Sequence, residues 1–152
     1  MVRLILFLSA CISYGAVASS TNWELRTTGS PNNAGCFASL GGVDYSQQDS
    51  AQYSFTDLVL VTASTVSSAS HSFNSNDVGN CIRITSGTGF TTGVYQITST
   101  SSGVATLDRN AGTGGSTGGT WYEGGASSLP TEVVPFVVNG NTVWMRSGTY
   151  TV

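Results

Sequence analysis

Short alternating segments separated by glycine and asparagine turns constrain the fold of this chain most strongly. In these segments apolar side chains tend to occupy every second position, which is the pattern of a strand with one buried face. The clearest are residues 23–26, 81–85, 94–98, 104–108 and 120–123, while the apolar run 58–61 is predicted to be buried on both faces. The pattern predicts an all-β protein containing a small antiparallel sandwich or barrel-like domain.

Hydroxyl groups take the place of charges in this sequence. Charged residues make up 9% of the 152 positions, lysine is absent, and 23 serines and 20 threonines supply the polarity. With five scattered arginines and a net charge of −3, the chain has no positive field that could hold a phosphate backbone. The composition therefore disfavours nucleic-acid partners and is typical of proteins that work outside the cell.

The N-terminal residues 1–18 are predicted to be a signal peptide. A basic residue precedes the apolar run 4–8, and a small-x-small pattern ends at Ala18, after which cleavage is expected. The run is too short to span a bilayer. A buried N-terminal strand is the structural alternative. The letters LSAC, ending at Cys11, also resemble a lipobox, so lipid anchoring through Cys11 is a second alternative to secretion.

Two cysteines, Cys36 and Cys81, remain once the leader is removed. In an oxidising compartment they could form a disulfide worth roughly 3–4 kcal/mol, and two separate buried thiols are the alternative. Neither cysteine has a closely spaced partner and His71 is the only histidine, so a metal site is not predicted. No cofactor motif is recognised either.

No arrangement of titratable residues predicts catalysis. No carboxylate pair can be assigned to acid and base roles, and no Gly-x-Ser-x-Gly motif supplies a nucleophile for His71, which is predicted to lie at the surface. Asp77 and Asp108 occupy positions where a turn needs a side-chain acceptor. Calcium binding by Asn74, Asn76 and Asp77 is an alternative, although the spacing does not fit an EF-hand loop.

Aromatic residues beside a glycine-rich loop are the candidate binding residues. Residues 111–119 lack the lysine and the helix that a phosphate-binding loop requires, so they are predicted to form a flexible hairpin loop. Trp121 and Tyr122 follow this loop, and their rings are candidates for stacking on a sugar. Packing in the core is the alternative role for both rings.

The last segment reads NTVWMRSGTY at residues 141–150 and alternates towards the final residue. It resembles the first rung of right-handed parallel β-helix proteins of the pectate-lyase-like superfamily. Further upstream FNSNDVGNCIRI at residues 73–84, DYSQQD at 44–49, GVYQI at 93–97 and ATLD at 105–108 are similar to the N-terminal β-domains of phage tail-spike and fibre-like proteins and of secreted bacterial relatives.

The resemblance implies a domain order and a function. After the signal peptide at residues 1–18, which virion proteins usually lack, it predicts a sandwich or barrel-like domain at 19–126, a linker and capping strand at 127–140, and a truncated first β-helix rung at 141–152. The implied function is a non-catalytic attachment module of an extracellular or virion-associated protein, facing carbohydrate. An accessory domain of a polysaccharide lyase or hydrolase is the alternative, and a homotrimer is the implied assembly.

Overall fold

Nine β-strands and three single-turn 3₁₀ helices make up the part of the chain that the computed structural model describes, residues 17–150. The strands are β1 (Asn22–Leu25), β2 (Cys36–Phe37), β3 (Tyr53–Thr62), β4 (Thr65–Ser67), β5 (Cys81–Ser86), β6 (Gly93–Ser101), β7 (Val104–Leu107), β8 (Gly119–Glu123) and β9 (Thr142–Met145). The 3₁₀ helices are Ser75–Asp77, Pro130–Glu132 and Val134–Phe136. In residues 17–150 no helix is long and apolar enough to cross a membrane.

Six of the strands close into an antiparallel barrel, in the order β3-β4-β7-β6-β5-β8 with β8 returning to β3. Alternation along each strand decides which side chains face the barrel interior. On β5, Ile82 and Ile84 are buried in the interior, whereas Arg83 projects outward. Closure leaves no unpaired strand edge within the barrel. The all-β class is therefore confirmed, and of the two predicted architectures, sandwich or barrel, the structure shows the barrel.

Two hydrophobic cores stabilise the fold, one on each side of the barrel wall. The first fills the barrel interior and includes Leu58, Leu60, Phe73, Ile82, Ile84, Tyr95, Ile97 and Trp121. The second lies outside the barrel and includes Val17, Trp23, Leu25, Cys36, Cys81, Val94 and Val133. Because Cys81 and Val94 belong to barrel strands but face outward, the barrel wall contributes to both cores.

A three-stranded sheet in the order β2-β1-β9 contributes side chains of β1 and β2 to the second core, whereas the residues of β9 are exposed. Strand β2 pairs with β1 in antiparallel fashion, and β9 pairs with β1 in parallel. A disulfide joins Cys36 on β2 to Cys81 on β5, with 5.4 Å between their Cα atoms. The disulfide therefore connects the small sheet to the barrel, and the alternative of two separate thiols is wrong.

The predicted signal peptide, residues 1–18, lies outside the described residues except for its last two positions. Val17 is buried in the second core, and the backbone N–H of Ala18 donates a hydrogen bond to Oε1 of Gln96 at 2.8 Å. Cleavage after Ala18 stays a prediction. If it occurs there, the mature protein loses the buried Val17 side chain.

The predicted β-helix is wrong. Residues 142–145 form a strand, as expected, but it pairs in parallel with β1 as one edge of the small sheet. Residues 17–150 contain no stack of parallel rungs, because the remaining named strand pairs are antiparallel. Arg146, which follows β9, donates hydrogen bonds to the buried carboxylate of Glu24 on β1. The expected homotrimer rested on the β-helix resemblance and is not retained.

Asn80 fastens the loop that precedes β3 to the barrel, and its replacement is expected to weaken the fold. The side chain is fully buried; its Oδ1 accepts the N–H of Tyr45 at 2.9 Å and its Nδ2 donates to the carbonyl of Val43 at 2.7 Å. In Asn80→Asp a carboxylate oxygen faces that carbonyl, so we expect the free energy of unfolding to fall by about 2 kcal/mol. Urea denaturation measures this change.

The exposed Asn32 supplies the matched control. Asn32→Asp introduces the same chemical change without burying it, and is expected to alter the free energy of unfolding by less than about 0.5 kcal/mol. Equal effects of the two substitutions would contradict the structural role of Asn80.

Candidate functional site

A surface cleft with a volume of about 390 Å³ lies between the outer face of the barrel and the segment 130–136. Strands β5 and β6 contribute one wall, and the two C-terminal 3₁₀ helices contribute the other. Its lining includes the polar residues Asn32, Arg83, Thr85, Thr92, Thr131 and Glu132. The apolar part of the lining includes Pro31, Pro135 and Phe136.

Arg83 forms the fixed polar floor of the cleft. Its Nε donates to the carbonyl of Asn33 at 3.1 Å, Nη1 to the carboxylate of Glu132 at 2.6 Å, and Nη2 to the carbonyl of Glu132 at 2.7 Å. Burial lowers the pKa of the Arg83 guanidinium, and the charge of Glu132 opposes that shift. An arginine remains protonated in proteins, so these two residues form an ion pair that attaches the segment 130–136 to the barrel.

Phe136 supplies the aromatic wall of the cleft. The ring is partly buried against the second core, and the guanidinium carbon of Arg109 lies 5.8 Å from its centroid. The same guanidinium lies 4.3 Å from the ring centroid of Tyr95 and is paired with Asp108. Cation–π contacts of this kind hold an aromatic ring in place. The ring of Phe136 thus lines the cleft while it also contacts the second core and the Arg109 guanidinium.

The cleft combines polar groups with an aromatic face. Hydroxyl, amide and guanidinium groups stand beside an aromatic face, which suits a ligand with both polar edges and apolar faces. Glycoside hydrolysis by the common mechanisms requires two carboxyl groups that face each other across the scissile bond. Among the residues that line this cleft, Glu132 is the one carboxylate, and it is occupied by Arg83.

The two predicted stacking residues occupy opposite faces of β8. Trp121 is fully buried in the barrel interior, so its ring has no surface on which a sugar could stack. Tyr122 is partly exposed and lies directly opposite Arg83 in the ladder between β5 and β8. Directly paired residues project from the same face of a sheet. Tyr122 therefore lies on the outer face next to a cleft residue, and sugar stacking by Tyr122 stays a prediction.

The prediction that His71 lies at the surface is wrong. Its side chain is 8% exposed. Nε2 of His71 lies 3.0 Å from Oδ2 of Asp77, and both groups are buried near Glu123. Asp77 also accepts the backbone N–H of Asn74 at 2.8 Å, which is the turn-stabilising role expected for it. Asn74 in turn caps the 3₁₀ helix by accepting the N–H of Asn76 at 3.0 Å.

Sequence reasoning missed Arg83, Glu132 and Phe136 as cleft residues. The sequence contains one indication of the role of Arg83. An arginine between two isoleucines of a strand requires a partner on the outer face. Glu132, 49 positions along the chain, could not be recognised as that partner from its spacing. Comparison of the chain with protein-family models, with curated proteins and with solved structures finds no match.

Proposed function

We propose that this chain is a secreted, non-catalytic module that binds a neutral polysaccharide in the cleft between the barrel and the segment 130–136. The observation that carries the proposal is the combination, in one concave surface, of the Phe136 ring with the polar groups of Arg83, Asn32 and the threonines. Sugar rings have apolar faces and hydroxyl edges, and such a surface complements both.

The preference for a neutral ligand follows from the charge balance of the cleft. The positive charge of Arg83 is compensated by Glu132 at 2.6 Å, so the floor of the cleft attracts neither anions nor cations strongly. Three of the five N–H groups on Arg83 donate to protein acceptors, so the protein does not use all of its hydrogen-bonding capacity. Neutral hexose units are therefore the ligand class that we propose.

Secretion is supported by two independent features. Disulfides persist in oxidising compartments and are rare in the cytosol, so the Cys36–Cys81 bond favours a location outside the cytoplasm. The N-terminal residues have the charge, apolar run and small-x-small pattern of a signal peptide. A secreted module without an assigned catalytic pair is suited to attachment.

Binding of neutral glycans by the purified chain tests the proposal. We expect at least one neutral glycan on an array to bind, without being shortened, and we expect Phe136→Ala to lower its association constant about tenfold because the stacking face is removed. Titration calorimetry with that glycan measures the change. Asn32→Ala, a substitution at an exposed position, is expected to lower the constant several-fold without loss of stability.

Val134→Ala is the matched control for loss of an apolar side chain. Val134 lies in the same segment and is 64% exposed, but it does not line the cleft. It is expected to bind the glycan as the unchanged protein does. The proposal is wrong if no neutral glycan binds, or if Phe136→Ala retains the fold and binds with unchanged affinity.

A further inference from the structure

Three ionisable side chains meet inside the barrel, away from the cleft. His71 comes from the segment after β4, Asp77 from the 3₁₀ helix that follows, and Glu123 from the end of β8. One nitrogen or oxygen atom of each lies within 4.8 Å of the corresponding atoms of the other two. His71 is 8% exposed and the two carboxylic residues are fully buried.

Several carboxyl oxygens of this cluster form no hydrogen bond with the protein. Both carboxyl oxygens of Glu123 and Oδ1 of Asp77 have no hydrogen-bond partner among the described residues. Buried carboxylates normally have hydrogen bonds or a positive partner, because removal from water penalises the charged form heavily. Three buried oxygens without a partner, in two side chains next to one imidazole, are donor atoms that a cation could bind.

The charges of the cluster agree with this geometry. Among the described residues, no arginine side chain lies within ion-pair distance of Asp77 or Glu123. Two carboxyl groups are therefore buried beside a single imidazole, and a divalent cation would balance both.

The three side chains are held by packing around them. The ring of Tyr53 stacks on His71 with 3.9 Å between centroids, and Phe73 meets the imidazole edge to face at 4.9 Å. The backbone N–H of Asn74 holds Oδ2 of Asp77 at 2.8 Å. Glu123 is fixed by its position in the ladder opposite Tyr53 and Ile82. Metal ligands that are fixed by their surroundings lose little conformational freedom when they bind.

We infer that His71, Asp77 and Glu123 form a buried binding site for a divalent transition-metal ion, with zinc as the representative ion. One imidazole nitrogen and two carboxylates match the ligand preferences of zinc, and two carboxylates neutralise its double charge. Bonds of about 2.0–2.2 Å require the ligand atoms to draw closer by roughly 1 Å on binding. The metal takes the place of the hydrogen bond between His71 and Asp77.

A direct test uses zinc and cobalt with the full chain under non-reducing conditions. The protein is treated with EDTA and refolded with or without ZnCl₂, because buried ligands are reached most easily during folding. We expect one zinc ion per chain after dialysis and a raised melting temperature in the zinc-refolded sample. Refolding with CoCl₂ is expected to give the visible absorption of Co²⁺ bound to nitrogen and oxygen ligands.

Substitutions then assign the site. Glu123→Gln and His71→Gln are each expected to weaken zinc binding by at least about 100-fold, more than loss of an outer-sphere partner causes. Asp49→Asn, a substitution of an acidic residue outside the cluster whose side chain is 47% exposed, is expected to keep one zinc ion. If Glu123→Gln does not fold, the zinc content of His71→Gln and the Co²⁺ spectrum of the unchanged protein test the site instead. Zinc content below 0.1 per chain, or unchanged zinc binding by the folded variants, overturns the inference.

Discussion

Removal of the Cys36–Cys81 disulfide is expected to lower the free energy of unfolding by about 4 kcal/mol. The two cysteines are 45 residues apart, so the bond closes a long loop and restricts the unfolded chain accordingly. Both side chains are fully buried in the second core. Replacing each by alanine, in Cys36→Ala/Cys81→Ala, removes the bond with a small change in packed volume.

The small sheet should respond most strongly to this change. Strand β2 has two residues and pairs with β1 over two positions, and besides the disulfide it is connected to the barrel side by a bridge between Phe37 and Asn80 and by the N–H of Ala38, which donates to the carbonyl of Gly79. For a domain of this size a loss of about 4 kcal/mol corresponds to a fall in melting temperature of roughly 10–20 °C. Calorimetry of the double variant beside the unchanged protein measures both quantities.

A reductant provides the control for this prediction. Dithiothreitol should lower the melting temperature of the unchanged protein to near that of the double variant, and should leave the double variant unaffected. Detection of two reactive thiols at Cys36 and Cys81 in the unfolded, unreduced protein would contradict the disulfide. A reductant effect of similar size in the double variant would show that the bond is not its cause.

The barrel strands could be predicted because each has one face that is buried in the barrel interior. Burial of Ile82 and Ile84, with Arg83 directed outward, follows directly from the alternation in the sequence. The prediction that residues 58–61 are buried on both faces is wrong. A continuous apolar run does not indicate which of its side chains are buried. Leu58 and Leu60 are fully buried, whereas Val61 is 50% exposed. The strand thus alternates like its neighbours.

The pairing of the last strand could not be predicted from its own residues. An alternating segment such as 142–145 predicts a strand, but it does not identify the strand with which it pairs. In the structure this strand pairs with β1. Trp23 of β1 lies opposite Val143, although it is 120 positions earlier in the chain. A rung of a β-helix and an edge of a small sheet have the same local pattern, and tertiary contacts decide between them.

The two sites were missed for the same reason. His71 has no acidic residue beside it in sequence, yet Asp77 reaches it across a turn and Glu123 reaches it from β8. The disulfide differs from these sites, because only two cysteines follow the predicted leader and one pairing is possible, but the sequence left open whether the two cysteines form a bond or stay separate thiols. Residue types with a unique partner can be paired from the sequence, whereas common carboxylates cannot.

The adjacent residues Trp121 and Tyr122 should behave oppositely when each is replaced by alanine. Trp121 is fully buried, with its ring 5.2 Å from that of Phe73 and 5.9 Å from that of Phe55. Trp121→Ala leaves a large cavity, and we expect it to lower the free energy of unfolding by about 3–5 kcal/mol. Tyr122→Ala removes an outward side chain and is expected to lower it by about 1 kcal/mol or less.

Urea denaturation followed by far-ultraviolet circular dichroism measures both free energies, with Trp121→Phe as the conservative control. The phenylalanine fills part of the cavity, so its effect should fall between those of the two alanine variants. A slip of β8 by one residue would turn Tyr122 inward and Trp121 outward. Equal or reversed effects of the two alanine substitutions would therefore contradict the register of β8 against β3 and β5, and with it the inward position of Glu123.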